Sequence, residues 1–218
     1  MTVEDPTEEQ IHGKKLLHNK VAVIFGAGGA AGSSAAREFS KEGATVFLSG
    51  RHLSSVETVA NEIRVYKGKE EAAEVDALNE MVVTAYLDNV VKHAGKKIDI
   101  VFYAIGVQPE EYDSGKANTE LSYKKSMIPL NTYVASNFLT ARAVARYMLP
   151  YNSGVIIFLT ATPSKGVAPN RAAAGTAYGA IEALTRCLAT EWSPLGIRVV
   201  CIRSGGMYDT NMIQRLKH

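Results

Sequence analysis

Runs of β-branched and aromatic residues alternate with helix-like segments along the whole chain. The run KVAVIFG at 20–26 is apolar between its terminal residues and ends in glycine, which is typical of a strand buried on both faces. Parallel strands need long crossovers, and right-handed crossovers place helices on both faces of a sheet. The alternation therefore predicts a single α/β domain with a doubly wound parallel sheet. The predicted strands cover 20–26, 44–50, 70–77, 98–106, 154–162 and 197–206, and the predicted helices lie within 26–43 and over 54–66, 79–95, 128–149 and 172–194.

The bulk properties exclude several classes of protein. A chain of 218 residues is long enough for one well-buried domain, and we assign residues 1–19 to a polar N-terminal arm and residues 20–218 to the domain. The net charge of +2 gives no basic field for nucleic acid, and no apolar run is long enough to span a membrane. The polar, acidic start MTVEDPTEEQ is not a signal peptide. We therefore expect a soluble, cytoplasmic protein.

The cysteines and histidines carry no predicted chemistry. Cys187 and Cys201 fall within a predicted helix and a predicted strand, so we expect two buried thiols in a reducing compartment. The five histidines are scattered and have no metal-ligand spacing, so no metal site is predicted.

The first strand leads into the glycine-rich stretch FGAGGAAG. Glycine is required where a strand turns sharply into a helix and a diphosphate approaches the backbone closely. The N–H groups at the start of the following helix then face the anion, at the positive end of the helix dipole. This context predicts a Rossmann-type dinucleotide site, with the diphosphate held by Gly26, Gly28, Gly29, Ala31 and Gly32.

The end of the second strand distinguishes NAD from NADP. An acidic residue there would bind the ribose 2′-hydroxyl, whereas arginine accommodates a 2′-phosphate. The sequence has SGRH at this point, with no acid beside Arg51, and His52 is placed to contact the adenosine phosphate. The pattern favours NADP(H) over NAD(H); the alternative is that Arg51 is an ordinary solvated loop residue.

From residue 20 to about 212 the sequence resembles the short-chain dehydrogenase/reductase family. The segment LTRCLATEWSPLGIRVVCIRSGG is the most similar part. Gly26 and Gly32 match the family's glycine motif, in which Ala30 replaces the middle glycine. The family's Asn-Asn-Ala-Gly and Pro-Gly motifs become YAIG and SGG. The resemblance implies further cofactor contacts from Asp76, Ala77, Ala104, Ile105, Gly106, Tyr178, Ser204 and Gly205.

Counting back from Leu184 places the family's four catalytic positions without a gap. The lysine position, six residues earlier, is Tyr178, and the tyrosine position is Ala174. The serine position is Ala161 and the asparagine position is Tyr133. The resemblance therefore implies a divergent member whose catalytic tetrad is substituted throughout.

A second alignment keeps Tyr178 as the catalytic tyrosine and puts Glu182 in place of the lysine. It requires deleting four residues inside a continuous helix, and four residues overshoot one turn by about 40°. A glutamate would also raise the tyrosine pKa, whereas the family's lysine lowers it. We therefore favour the gapless alignment and expect Glu182 on a polar face of its helix.

Two functions follow from the gapless alignment. The first is an NADP-dependent carbonyl or alcohol oxidoreductase with a non-standard site, in which Tyr178 or Tyr133 donates or orients the proton beside a small-molecule substrate. Thr160, Thr162 and Ser164 lie beside the missing serine. The second is an NADP-binding sensor or scaffold without catalysis, in which the two tyrosines fill space.

The resemblance also bears on assembly and on the end of the chain. In relatives the two long helices form tetramer faces, so the resemblance implies a homodimer or homotetramer. Relatives continue beyond the point that corresponds to residue 218, through a substrate-covering helix and a last strand. We expect both of those elements to be absent from this sequence.

Overall fold

Six parallel strands form one sheet in the computed structural model, which describes residues 15–95, 97–166 and 169–205. The strand order is β3-β2-β1-β4-β5-β6, so the first strand lies in the middle and the chain winds outward in both directions. This confirms the predicted doubly wound α/β fold. The strands are β1 (Val21–Phe25), β2 (Thr45–Gly50), β3 (Lys69–Glu74), β4 (Ile100–Tyr103), β5 (Gly154–Ala161) and β6 (Ile197–Ser204).

Helices cover both faces of the sheet. They are α1 (Ala30–Lys41), α2 (Leu53–Val65), α3 (Glu80–Ala94), α4 (Tyr123–Pro129), α5 (Ala135–Met148) and α6 (Ala172–Trp192). Alternate residues of β1 belong to opposite cores because successive side chains of a strand point to opposite faces. Ala22 and Ile24 pack with α1 and α2, whereas Val21, Val23 and Phe25 pack with α3, α5 and α6.

Three aromatic rings stack across the centre of the sheet at paired positions. Phe25 pairs in register with Tyr103, and Tyr103 pairs with Phe158. Their ring centroids are 5.4 Å and 4.9 Å apart, with interplanar angles of 2° and 27°. Because Phe25 and Tyr103 end their strands, this aromatic ladder gives the carboxyl edge of the sheet an apolar floor.

The helix predicted over 128–149 begins earlier than expected. Ser122 caps α4 by accepting a hydrogen bond from the Lys125 N–H, so the helix starts at Tyr123. Pro129 has no N–H to continue the α-helical ladder. The backbone widens into a π-helical segment over Leu130–Val134 before α5 begins. Such segments in helices often occur at functional sites.

The chain outside the sheet only partly matches the expectations. Residues 15–19, assigned to the arm, form a turn whose Leu16 and Leu17 N–H groups donate to Glu42. Residues 1–14 and 206–218 lie outside the described residues. Cys201 is half-buried but Cys187 is exposed, so the prediction of two buried thiols was wrong for Cys187. Among the helices described, none is both long and apolar enough to cross a membrane.

Helix α2 ends with a lysine in a left-handed conformation. The Gly68 N–H donates to the Ile63 carbonyl and the Lys67 N–H donates to the Arg64 carbonyl, which is the Schellman arrangement. The residue at the left-handed position is Lys67, with φ 58°. Glycine is preferred there, and a side chain with a Cβ atom costs roughly 1 kcal/mol.

Gly32 on α1 packs directly against the turn that follows β1. A Cβ atom at Gly32 would lie 2.3 Å from the Gly26 carbonyl oxygen, whereas one at Gly29 would lie 3.5 Å from it. We expect Gly32→Ala to lower the free energy of unfolding by about 3 kcal/mol, because backbone atoms must move apart. The matched Gly29→Ala should change it by less than about 1 kcal/mol. Urea unfolding of both variants tests this, and equal stabilities would show that the close approach is relaxed in solution.

Candidate cofactor and tyrosine site

The predicted site residues converge on one edge of the sheet. In a parallel sheet the carboxyl ends of all strands lie at the same edge, and ligands of such sheets bind there. The glycine turn follows β1 at this edge, residues 104–107 follow β4, residues 162–164 follow β5 and Gly205 follows β6.

The glycine turn has the geometry of an anion site. Gly26 adopts φ +81°, and the N–H groups of Gly26 and Ala27 both donate to the Ser49 carbonyl, which fixes the turn against β2. Gly29 caps α1 without a side-chain hydrogen bond, and Gly28 and Gly29 are exposed. The first N–H groups of α1 therefore face solvent. Gly28 and Gly29 have no Cβ atoms, so a ligand can approach the backbone closely beside them. Such a surface fits a diphosphate.

The structure places an acidic residue, Glu74, at the part of the edge where Arg51 and His52 lie, which the sequence analysis did not predict. Arg51 and His52 are exposed after β2, and His52 is the N-cap of α2. Glu74 at the end of β3 accepts a hydrogen bond of 3.2 Å from the Leu53 N–H at the start of the same helix. Arg51 forms no ion pair with any residue in the described ranges.

The remaining predicted cofactor residues lie along the same edge. Asp76 is exposed, accepts a hydrogen bond from the Leu78 N–H and precedes the buried Ala77. The Ala104 N–H donates to the Phe25 carbonyl, which places Ala104, Ile105 and Gly106 beside the glycine turn. The Ser204 hydroxyl donates to the Thr160 carbonyl, and Gly205 is exposed beyond it.

Tyr133 and Tyr178 come together as a stacked pair. Their ring centroids are 5.4 Å apart with an interplanar angle of 22°. Tyr133 is buried in the π-helical segment, and its hydroxyl oxygen accepts a hydrogen bond of 3.1 Å from the Val107 N–H. Tyr178 projects from α6 and is only partly buried. The pair therefore has a fixed inner member and an outer member closer to solvent.

The pKa values of both phenols are raised. Burial raises the pKa of Tyr178, whereas the contact with Tyr133 and the charge of Arg171 lower it by less. Burial also raises the pKa of Tyr133, and the neighbouring Tyr178 adds to the increase. Both side chains are therefore neutral phenols at neutral pH.

The two residues that the gapless alignment assigns to the family's serine and tyrosine positions are alanines, which cannot donate a proton. Ala161 is half-buried at the end of β5, and Ala174 is buried in α6. The nearby Thr160 and Ser164 hydroxyls both donate to Glu182. Thr162 is exposed at the start of the loop after β5.

Glu182 is buried, so its predicted place on a polar helix face was wrong. It is 8% exposed and forms a two-pronged pair with Arg203 of β6, with 2.7 Å between Nε and Oε1 and 2.7 Å between Nη2 and Oε2. These hydrogen bonds hold the pKa of Glu182 at about 2, despite the opposing effect of burial. Sequence reasoning missed Arg203; the signal was a charged residue near the end of a predicted buried strand.

Comparisons with known proteins agree with this geometry. Residues 20–218 match the family model for short chain dehydrogenases. An uncharacterized oxidoreductase of Bacillus subtilis is 30% identical over 203 residues, which cover 92% of this chain and 71% of the relative. The secoisolariciresinol dehydrogenase of Forsythia intermedia is 32% identical, with 88% and 68% covered. A crystal structure of NAD+-bound xylitol dehydrogenase superposes with a TM-score of 0.85 at 28% identity, with 92% and 75% covered.

The Glu182–Arg203 pair predicts a loss of stability in acid. The pKa of Glu182 lies below its ordinary value of 4.5, so its stabilising effect is complete above about pH 4.5 and is lost as the pH falls toward 2. We expect Glu182→Gln to cost on the order of 2 kcal/mol at pH 7, since Arg203 is partly open to water.

Melting temperatures measured between pH 7 and pH 2 test this prediction. The Glu182→Gln curve should fall less steeply than the wild-type curve below pH 4.5. Glu38→Gln, which removes a surface pair with Lys41, is the matched control and should follow the wild-type curve. Parallel curves for all three proteins would show that the Glu182–Arg203 pair does not cause the loss of stability in acid.

Proposed function

Because the chain belongs to the short-chain dehydrogenase family, we propose that it is an NADP(H)-dependent oxidoreductase acting on a small carbonyl or alcohol substrate, with Tyr178 as the proton donor. The observation that supports this proposal best is the stacked tyrosine pair. The gapless alignment assigns these two residues to positions of the family's polar tetrad, and the outer one, Tyr178, is half-buried and keeps its proton at neutral pH.

The residues at the carboxyl edge fit the cofactor. The glycine turn and the start of α1 would hold the diphosphate, and Arg51 with His52 would face the 2′-phosphate. Glu74 is hydrogen-bonded to the Leu53 N–H, whereas Arg51 has no carboxylate partner among the described residues. This difference favours NADP(H). When bound, the cofactor supplies or accepts the hydride.

Tyr178 would protonate the oxygen that hydride transfer leaves negative. This step requires a donor beside that oxygen. Ala161 and Ala174 have no such group, and Tyr178 keeps its proton through neutral pH because burial raises its pKa. Tyr133, held by the Val107 N–H, fixes the orientation of Tyr178. Because the gapless alignment places Tyr178 at the position of the family's lysine, Tyr178 would also contact the cofactor ribose.

A second function is a nucleotide-binding sensor or scaffold without turnover. The observation that favours it is that alanine occupies both donor positions. Binding of NADPH with no oxidation against a panel of carbonyl compounds would support this function over catalysis. Absence of binding would contradict both. Assembly as a homodimer or homotetramer is part of either proposal, and light scattering on the purified chain tests it.

Replacing Arg51 tests the choice of cofactor. We expect wild type to bind NADP at least about tenfold more tightly than NAD, because one charged hydrogen bond contributes about that factor. Arg51→Gln should remove this preference by weakening NADP binding and leave the affinity for NAD unchanged. Fluorescence titration with both reduced cofactors measures it. A wild-type preference for NAD would contradict the assignment of Arg51.

Replacing Tyr178 tests the proton donor. We expect Tyr178→Phe to lower kcat by about 10²- to 10⁴-fold, the usual contribution of a positioned acid, and to change cofactor affinity far less. Tyr133→Phe should lower kcat by a smaller factor. Tyr147→Phe, whose surface hydroxyl donates to Asp88, is the control and should retain wild-type turnover. Full turnover in a Tyr178→Phe and Tyr133→Phe double variant would rule out a catalytic tyrosine.

A further inference from the structure

A cavity lies at the end of the sheet opposite the candidate cofactor site. It has a volume of about 430 Å³, within the range of small-molecule pockets. Its walls are the turn before β1, the last turns of α1 and α2, and the first residues of β2 and β3. These are the amino ends of the strands, so the cavity shares no residue with the glycine turn or the tyrosine pair.

The charged side chains that line this cavity are all basic. The whole chain has 24 Lys and Arg residues and 22 Asp and Glu residues. The described residues that line the cavity include no acid. The basic side chains in its wall are Lys15, His18, Arg37, Lys41, Lys67 and Lys69. A gathering of like charges is unfavourable unless an anion compensates for it.

Nearby carboxylates balance only part of this charge. Arg37 pairs with Glu62 and Lys41 pairs with Glu38, each at 2.6 Å. Lys15, Lys67 and Lys69 form no ion pair with residues in the described ranges and are exposed. Three ammonium groups in the cavity wall are therefore available to a ligand.

The favourable effect of a positive charge at a helix end explains some of the basic residues that line the cavity, but not all of them. Lys41 and Lys67 lie at the carboxyl ends of α1 and α2, where a positive charge favours the helix dipole. Lys15 and His18 lie on a turn, and Lys69 begins a strand. None of these three residues belongs to a helix.

Lys67 occupies a position where the backbone favours glycine. Its φ of 58° is left-handed, and the next residue, Gly68, has no side chain. A lysine here carries a conformational cost that glycine would avoid. A ligand that binds the ammonium group offsets this cost.

We propose that this cavity binds a small phosphorylated molecule, with its phosphate groups on Lys15, Lys67 and Lys69. Ammonium groups bind phosphate oxygens through strong charge-assisted hydrogen bonds. Tyr66 lines the same cavity and is 77% exposed, so its ring offers a flat surface to the organic part of the ligand.

Titration of the full chain with inorganic pyrophosphate at low ionic strength tests the proposal by calorimetry. The glycine turn also suits a diphosphate, so the titration uses Gly29→Asp as the background. A Cβ atom fits at Gly29, aspartate is a favourable N-cap, and its charge repels a diphosphate from that turn. We expect this background to retain one pyrophosphate site.

Lys67→Gly and Lys69→Gln, each added to that background, should weaken the remaining site by about tenfold, the effect of one lost charged hydrogen bond. Lys67→Gly should keep or raise the melting temperature, because it relieves the left-handed lysine, so weaker binding cannot be attributed to unfolding. Lys92→Gln, an exposed lysine on α3 outside the cavity, is the control and should not change binding.

Two results would overturn the proposal. Loss of all pyrophosphate binding in Gly29→Asp alone would place the anion at the glycine turn. Equal affinities in the Lys67→Gly, Lys69→Gln and Lys92→Gln variants would show nonspecific attraction to surface charge. Neither result depends on turnover, so the test is separate from the test of the oxidoreductase function.

Discussion

Gly26 is the residue at which the turn, the first helix and two neighbouring strands meet. A Cβ atom on Gly26 would lie 2.5 Å from the Ala104 oxygen, and one on Gly32 would lie 2.3 Å from the Gly26 oxygen. The turn is therefore in contact with the end of β4 on one side and α1 on the other, while its N–H groups bond to Ser49 of β2. The position of the first N–H groups of α1 depends on these contacts, because they fix the start of the helix.

The floor and one wall of the site are aromatic. Phe25, Tyr103 and Phe158 stack below the carboxyl edge, and Tyr133 stacks on Tyr178 beside it. Aromatic walls exclude water, and burial is the largest cause of the raised pKa of both phenols in the pair. A site built in this way keeps protons on its tyrosines, whereas a tetrad with a lysine favours their ionisation.

The sequence was sufficient to predict the parts of the structure that depend on local periodicity. Buried runs and helical spacing predicted the fold class. Counting back from Leu184 assigned Tyr133 and Tyr178 to the same site, and their rings are stacked in the structure. The burial of Glu182 could not be predicted in this way, because its partner Arg203 is 21 residues away on a different element. Helix α6 is rich in alanine and apolar residues on several sides, so its sequence does not show which face is buried, and Cys187 was assigned wrongly. The predicted start at residue 128 was too late, because the helix begins at Tyr123 and the chain continues after Pro129 as a π-helical segment.

The strand order has a consequence for how the chain folds. The local half of the sheet, β1 to β3, can form as soon as its residues have been synthesised. The other edge of β1 pairs with β4, which is about 80 residues later in the chain. Until then the unpaired N–H and C=O groups along one edge of β1 can pair with another chain. Conditions that slow synthesis or folding between β3 and β4 should therefore favour aggregation over native assembly.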